Sequence, residues 1–232
     1  MLRLITDFDG PITDVSQRYY RVYKFCLETS KHPEQAVKQL SKAEFWRFKR
    51  SRVPEVEIGR RSGLDEAQAK NFAQLRRQTV HTEPYFSDDI LAPGAVAALE
   101  KVQEAGIDLA VMTMRRVCEL DYAFKRYDLS RFFPKNRCYC LSNDYVKTRD
   151  IDDKPLLMER ALIELPQAED TWMVGDTEAD MIAAQKHGVK VIAVLCGIRD
   201  RQQLQLYKPD AIVENLSEAV DLVLGKSLRD VA

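Results

Sequence analysis

Asp7-Phe8-Asp9-Gly10 places two carboxylates one residue apart, directly after the largely apolar run Leu2-Arg3-Leu4-Ile5-Thr6. A short apolar segment that ends in acids and a glycine reads as a buried strand delivering its last residues to a turn. Two acids this close resist ionising together in a low-dielectric site unless a cation stands beside them or one of them keeps its proton. Either state is chemically useful. Alone, the stretch is also what a plain turn looks like, with Asp9-Gly10 as its dipeptide and Asp7 as a cap. What the rest of the chain brings to the same place decides between the two.

Three further stretches end in residues of matching chemistry. Ile107-Asp-Leu-Ala-Val-Met112 reads as a strand followed at once by Thr113, with a helix expected near 116–127. Trp172-Met-Val174 reads as a strand ending in Gly175-Asp176, and a helix is expected to start after Lys154-Pro155. Asp7, Asp9 and Asp176 are hard oxygen donors suited to Mg²⁺, which takes few protein carboxylates alongside phosphate oxygens. Thr113 and Lys154 supply donors for an anion. A phosphate ester fits the whole set, because the cation and Lys154 would together offset the repulsion between its dianion and an attacking aspartate.

The elements that must position these groups alternate. Pro93-Gly94 opens a helix running to Gly106, a short strand is expected at Cys138–Leu141, and a helix from Glu178 closes at Gly188 before strands at Val189–Leu195 and Ala211–Val213. Strands alternating with helices argue for an α/β fold, a Rossmann-like parallel sheet whose ligand sits beyond the carboxyl ends of its strands. Between the first two strands lies a helical insert. Ser41-Lys-Ala-Glu44 and Asp65-Glu-Ala-Gln68 are capping boxes ahead of Phe45-Trp46 and Phe72, and Pro54, Gly59 and Gly63 break the stretch into pieces. The expected division is an α/β core of 1–14 and 88–232 with a helical cap of 15–87.

Composition sets the outer bounds. Lys plus Arg is 35 against 36 for Asp plus Glu, a net charge of −1, so no global field favours nucleic acid or an anionic membrane. No apolar window is long enough to span a bilayer. Five scattered cysteines make a poor disulfide framework, and with no leader pattern at Met1 a cytoplasmic location is expected. His32, His81 and His187 form no ligand pair. In the insert, Arg47, Lys49, Arg50, Arg52, Arg60 and Arg61 outnumber Glu55 and Glu57; they read as a solvated face or, more sharply, as a rim for an anionic substrate. Its aromatic residues read as its own core.

Together these motifs resemble the haloacid dehalogenase-like hydrolases, in the phosphatase branch with a helical cap and similar to phosphoglycolate phosphatases. Asp7-Phe-Asp9-Gly10 is similar to that superfamily's first motif, Thr113 to its second, Lys154-Pro155 to its third, and Gly175-Asp176-Thr177 with Asp180 to its fourth. The resemblance implies that Asp7 attacks phosphorus to form an aspartyl-phosphate while Asp9 protonates the leaving oxygen and later activates water. It implies that Asp7, the backbone carbonyl of Asp9 and Asp176 hold Mg²⁺, with Asp180 supporting them, and that Thr113, Met114, Arg115 and Lys154 meet the substrate. An acid at Asp9 favours a phosphatase or phosphomutase over a dehalogenase, since a halide leaves without a proton. Two departures stand out: Pro11 replaces the usual Thr of the first motif, leaving Thr13 or Asp14 to fix the turn, and Met114 replaces a small polar residue, so that a backbone amide carries any contact there. The expected partner is a small phosphorylated molecule, with oligomeric state open. Rivals are a phosphomutase of the same fold, a phosphoacceptor domain, against which the helical insert argues, and a catalytically silent binding protein, for which the full set of motif residues offers no support.

Overall fold

In the computed structural model, which describes residues 1–229, the strands are β1 (Leu2–Thr6), β2 (Thr13–Asp14), β3 (Ile90–Leu91), β4 (Asp108–Arg116), β5 (Cys138–Leu141), β6 (Asp170–Gly175), β7 (Lys190–Val194) and β8 (Ala211–Val213). The helices are α1 (Ser16–Ser30), α2 (Lys42–Arg50), α3 (Glu55–Arg61), α4 (Glu66–Thr79), α5 (Ala95–Glu104), α6 (Val117–Tyr127), α7 (Asp150–Glu164), α8 (Glu178–Lys186), α9 (Arg201–Gln205) and α10 (Leu216–Arg229). Six strands form one parallel sheet in the order β5-β4-β1-β6-β7-β8. β1 is central. It lies between β4 and β6, and Thr6 is level with Val111 on one side and Val174 on the other.

Two-residue periodicity explains why helices cover both faces. Leu4, Leu109, Val111, Trp172, Val174, Ile192 and Val194 point to one side, where they pack with Leu99 and Val102 of α5, Leu120 and Phe124 of α6, and Leu216, Val220 and Val223 of α10. The alternate residues Ile5, Ala110, Met112, Met173, Val191 and Ala193 point to the other, against Leu157, Met158 and Ala161 of α7 and Met181, Ala183 and Ala184 of α8. A strand apolar on both faces is the mark of a parallel sheet buried on both sides. The α/β fold expected from the sequence is therefore the observed one.

The chain divides into two compact units, Met1–Asp14 with Leu91–Gly197 and Arg201–Ala232 in one, and Val15–Ile90 with Ile198–Asp200 in the other. The return to the first unit falls between Ile90 and Leu91, three residues beyond the expected boundary, and Ile198–Asp200 belong with the helical unit although Leu91–Gly197 separate them from it in sequence. In that unit, both expected capping boxes form: Ser41 with Glu44 at the start of α2, and Asp65 with Gln68 at the start of α4. Tyr23, Phe45, Ile58 and Phe72 are its buried core, so these aromatic residues close the unit on itself. No described helix is long and apolar enough to cross a membrane.

Two local expectations need correction. β4 does not stop at Met112; it runs to Arg116, with a register shift against β5 between Met112 and Arg116, so Thr113, Met114 and Arg115 are strand residues and α6 begins at Val117. Arginine at a strand end is tolerated because each finds an acidic partner, Arg115 with Asp9 and Arg116 with Glu119. α7 begins at Asp150, not after Lys154-Pro155, and holds Pro155 in its second turn. Asp150, Asp152 and Asp153 suit the positive end of the helix dipole, and Asp153 accepts hydrogen bonds from the Thr148 N–H and hydroxyl at 2.8 Å each. That acidic turn sets the start and places Lys154 on the helix proper.

Candidate active site

Asp7 is the first residue past β1, and its N–H donates to Val174 O at 2.8 Å, so the chain is still held to β6 as it leaves the sheet. Its side chain is fixed by a hydrogen bond from the Phe8 N–H to Oδ1 at 2.7 Å. Asp176 follows β6 and Asp180 lies in the first turn of α8, where Oδ2 accepts from the Thr177 N–H at 2.9 Å and hydroxyl at 2.7 Å. One carboxylate oxygen from each of Asp7, Asp176 and Asp180 lies within 4.8 Å of the others, and all three residues are buried. Lys154 completes the group from α7, its Nζ 2.8 Å from Asp7 Oδ2 and also paired with Asp180 Oδ1.

Three glycines permit this crowding. A Cβ on Gly10, whose φ is +97°, would lie 2.5 Å from Asp176 Cγ; one on Gly175 would lie 2.1 Å from Asp180 Cγ; and one on Gly197 would lie 1.9 Å from Asp176 Oδ2. Gly10 and Gly175 sit in motifs that stood out in the sequence. Gly197 did not, although a glycine shortly after the strand at Val189–Leu195 is the kind of signal that marks a close backbone approach.

The electrostatics favour positive charge at this point. Burial raises the Asp7 carboxyl well above its ordinary range; Lys154 opposes that shift, while Asp180 and Asp176 add to it. Burial also works against the Lys154 ammonium, yet the charges of Asp180 and Asp7 outweigh it and hold this lysine above its usual value. One ammonium is thus set against three carboxylates. Clustered hard oxygens with a surplus of negative charge are the donor set that Mg²⁺ accepts, so the residues present fit that ion.

Asp9 stands apart from this cluster. Its Oδ1 is held by Arg115, through Nη2 at 2.6 Å and Nε at 2.8 Å, and by the Thr13 hydroxyl at 3.2 Å. Of the set Asp7, Asp9 and Asp176 named from the sequence as metal ligands, the side chains of Asp7 and Asp176 are together with Asp180, and the carboxylate of Asp9 is engaged elsewhere. Thr13 also donates to Phe8 O at 3.2 Å, and so ties the turn that follows Pro11. Arg115 is buried and its guanidinium lies 4.9 Å from the Phe8 ring centroid. Thr113, buried on β4 two residues beyond the Thr6–Val111 pair, accepts the Arg115 N–H on its hydroxyl at 3.2 Å. Met114 packs with the apolar cluster on the α7 side of the sheet.

The geometry therefore brings a buried carboxylate, two companion acids and a lysine to one point past the central strand, with a second acid of the same turn held by a guanidinium. Comparison with known proteins agrees with that chemistry. The family model described as haloacid dehalogenase-like hydrolase matches residues 3–188. A pyrophosphatase PpaX from Bacillus mycoides is 27% identical over 171 residues, 70% of this chain and 73% of the relative. Two further pyrophosphatase relatives are covered over 56% and 58% of their length. Among solved structures, a haloacid dehalogenase-like family protein from Streptococcus pneumoniae is similar with a TM-score of 0.69 at 19% identity, over 96% of this chain and 98% of that one. A predicted phosphatase from Clostridium acetobutylicum is similar with a TM-score of 0.70 at 20% identity, over 97% and 98%.

Proposed function

This chain belongs to the haloacid dehalogenase-like hydrolase family, and on that premise we propose that it is a Mg²⁺-dependent phosphoric monoester hydrolase. Its substrate is a small phosphorylated metabolite. The observation that carries the reading is the meeting of Asp7, Asp176, Asp180 and Lys154 beyond the carboxyl end of β1.

In this scheme an oxygen of Asp7 attacks phosphorus, the bond from phosphorus to the leaving oxygen breaks, and Asp7 carries the phosphoryl group. Asp9 gives a proton to the leaving oxygen, then takes one from the water that hydrolyses the aspartyl-phosphate. Arg115 and Thr13 fix the carboxylate that performs both transfers. Lys154 offsets the charge of Asp7 and of the incoming phosphoryl oxygens, and the Thr113 hydroxyl with the Met114 amide supplies donors to those oxygens. Asp7, Asp176 and the main-chain carbonyl of Asp9, with Asp180 beside them, would hold Mg²⁺, which when bound would supply the remaining neutralisation.

The test is phosphate release from a panel of phosphorylated metabolites, with pyrophosphate included because relatives carry that name, each with and without Mg²⁺. Metal-dependent release of free phosphate is expected, and Asp7→Asn abolishes it. Equal turnover by the Asn variant would rule out the covalent route, and a phosphosugar isomer in place of free phosphate would mark a phosphomutase.

A further inference from the structure

The six basic residues that stood out between positions 47 and 61 do not share one environment. Arg60 and Arg61 pair with Glu57 on an exposed face, and Arg47 lies over the Phe48 ring. Lys49 turns inward. Its ammonium meets Glu55 Oε1, and Arg76 Nη1 reaches that same oxygen at 2.7 Å. The ring of Tyr19 lies beside both cations, 4.9 Å from the Arg76 guanidinium and 5.9 Å from Lys49 Nζ. A third cation reaches the backbone here, with Arg199 Nη1 donating to Lys49 O at 3.5 Å.

Two deficits follow from this packing. Glu55 is ionised, because Arg76 and Lys49 outweigh the burial that would raise its carboxyl, but it brings one negative charge against the positive charges of Lys49, Arg76 and Arg199. Surplus buried positive charge is costly unless something of opposite sign compensates it. Arg76 is also 5% exposed, and its Nε and Nη2 have no hydrogen-bond acceptor among the described residues. Buried donors left unpaired keep their full desolvation penalty. A group that met both deficits would be negative, carry two acceptor atoms and sit beside Lys49.

The amine of Lys49 is itself able to carry such a group. Burial, with Arg76 and Arg199 adding to it, pushes the Lys49 ammonium down to about 8 against the pull of Glu55. At pH 7 about a tenth of it is therefore free amine, against well under a hundredth for an ordinary lysine. A free amine adds to CO₂: the nitrogen lone pair forms the N–C bond, one C=O pair moves onto oxygen, and Nζ releases one of its two protons to water. The product is a carbamate. Nζ keeps one hydrogen for Glu55, and the two new oxygens are acceptors for the Arg76 guanidinium. Residue 49 changes from one positive charge to one negative, so that two anions face Arg76 and Arg199. The Lys49 side chain is 13% exposed, which gives a three-atom molecule a way in. We propose that Lys49 is a site of reversible carbamylation by CO₂, with Arg76 holding the carbamate inside the helical unit. The inference stands independently of the hydrolase reading.

The test uses the full chain equilibrated with ¹³C-bicarbonate and read by ¹³C NMR. Triethyloxonium then fixes any carbamate as its ethyl ester, and peptide mass spectrometry locates it. A carbamate resonance is expected that vanishes when CO₂ is purged, with the trapped group on Lys49 at roughly ten times its level on exposed Lys42 and Lys70. Lys49→Arg removes it. Arg76→Leu lowers its occupancy by about tenfold, because losing the guanidinium both restores the lysine's affinity for its proton and takes away the carbamate's partner. α-Amino groups also form carbamates, so Met1 is the internal control, and its label should not respond to Arg76→Leu.

A second readout is the thermal midpoint, which should rise with bicarbonate at fixed pH and ionic strength in the parent and not in Lys49→Arg. The inference is overturned if the trapped group is found on Met1 alone, if Lys49 is labelled no more than Lys42 and Lys70, or if its occupancy is unchanged in Arg76→Leu. Should Arg76→Leu fail to fold, the distribution of label among the lysines of the parent decides.

Discussion

Arg115 grips a single oxygen of Asp9 from two nitrogens, Nη2 at 2.6 Å and Nε at 2.8 Å, across 106 residues of sequence. The Asp9 carboxylate is therefore oriented before any substrate arrives. Replacing Arg115 tests whether that orientation matters. Arg115→Lys keeps the charge and loses the two-point hold, because an ammonium cannot reproduce the guanidinium fork. With general acid–base catalysis at stake, kcat is expected to fall by about tenfold for Lys and about a hundredfold for Met. KM should move less than kcat. Steady-state kinetics across pH check this, and a variant with unchanged kcat and pH profile would show that the pair is structural only.

Gly197 offers a steric probe of the acidic cluster that leaves every charge in place. A Cβ there would lie 1.9 Å from Asp176 Oδ2, against backbone-fixed geometry that leaves no room for it. Gly197→Ala should displace the Asp176 carboxylate and weaken Mg²⁺ activation by roughly ten- to a hundredfold, the usual scale for disturbing a ligand's support. Activity as a function of Mg²⁺ concentration reads this directly. Recovery of most activity at high Mg²⁺ is the expected companion result.

How far these relationships were readable in the sequence depends on how local they are. The first strand, the acids after it and the strand carrying Asp176 were legible because an apolar run followed by an acid and glycine is a short-range pattern. So were the capping boxes at Ser41 and Asp65. The length of β4 was not, because Arg115 and Arg116 read as polar loop or helix residues until their partners Asp9 and Glu119 are known, and Asp9 is contributed from far along the chain. Pro155 misled in the opposite sense: its preference for helix starts outweighed the acidic turn at 150–153 that sets the real one. The placement of Ile198–Asp200 with the helical unit, and the inward turn of Lys49 among six similar neighbours, are properties of tertiary contact that no local pattern encodes.

A pH-dependent contribution to stability is expected from Asp108, at the other end of the sheet. Its carboxylate is held by Arg3 at 2.7 Å through Oδ2 and by Arg137 at 2.7 Å through Oδ1. Burial works to raise its carboxyl, but the hydrogen bonds and charges of Arg137 and Arg3 prevail and keep it below the ordinary range. A carboxyl depressed in the folded state contributes stability that is present above its unfolded pKa and lost as pH falls through its folded one. Asp108→Asn should therefore lower the urea midpoint near neutral pH, and the difference from the parent should shrink to nothing in strong acid. A gap that stays constant across that range would mean that packing at this position, not charge, is responsible.

Lys154 is 1% exposed and pairs with two of the three clustered carboxylates, Asp7 and Asp180. Lys154→Met keeps the length of the side chain and removes its charge, which leaves Asp7 and Asp180 buried beside Asp176 with their main compensation gone. Breaking a buried pair from one side costs about 3–5 kcal/mol, because the remaining charge stays uncompensated. In the absence of divalent cation the variant should lose stability on that scale in chemical denaturation, besides losing catalysis. Added Mg²⁺ should narrow the gap, since a cation among the acidic oxygens takes over part of the neutralisation and binds only the folded chain. Lys154→Arg should not substitute, because a guanidinium is too wide for a position packed this closely. If Lys154→Met proves as stable as the parent without metal, then Asp7 and Asp180 are not both ionised next to it. The charge arrangement ascribed to this site would have to be abandoned.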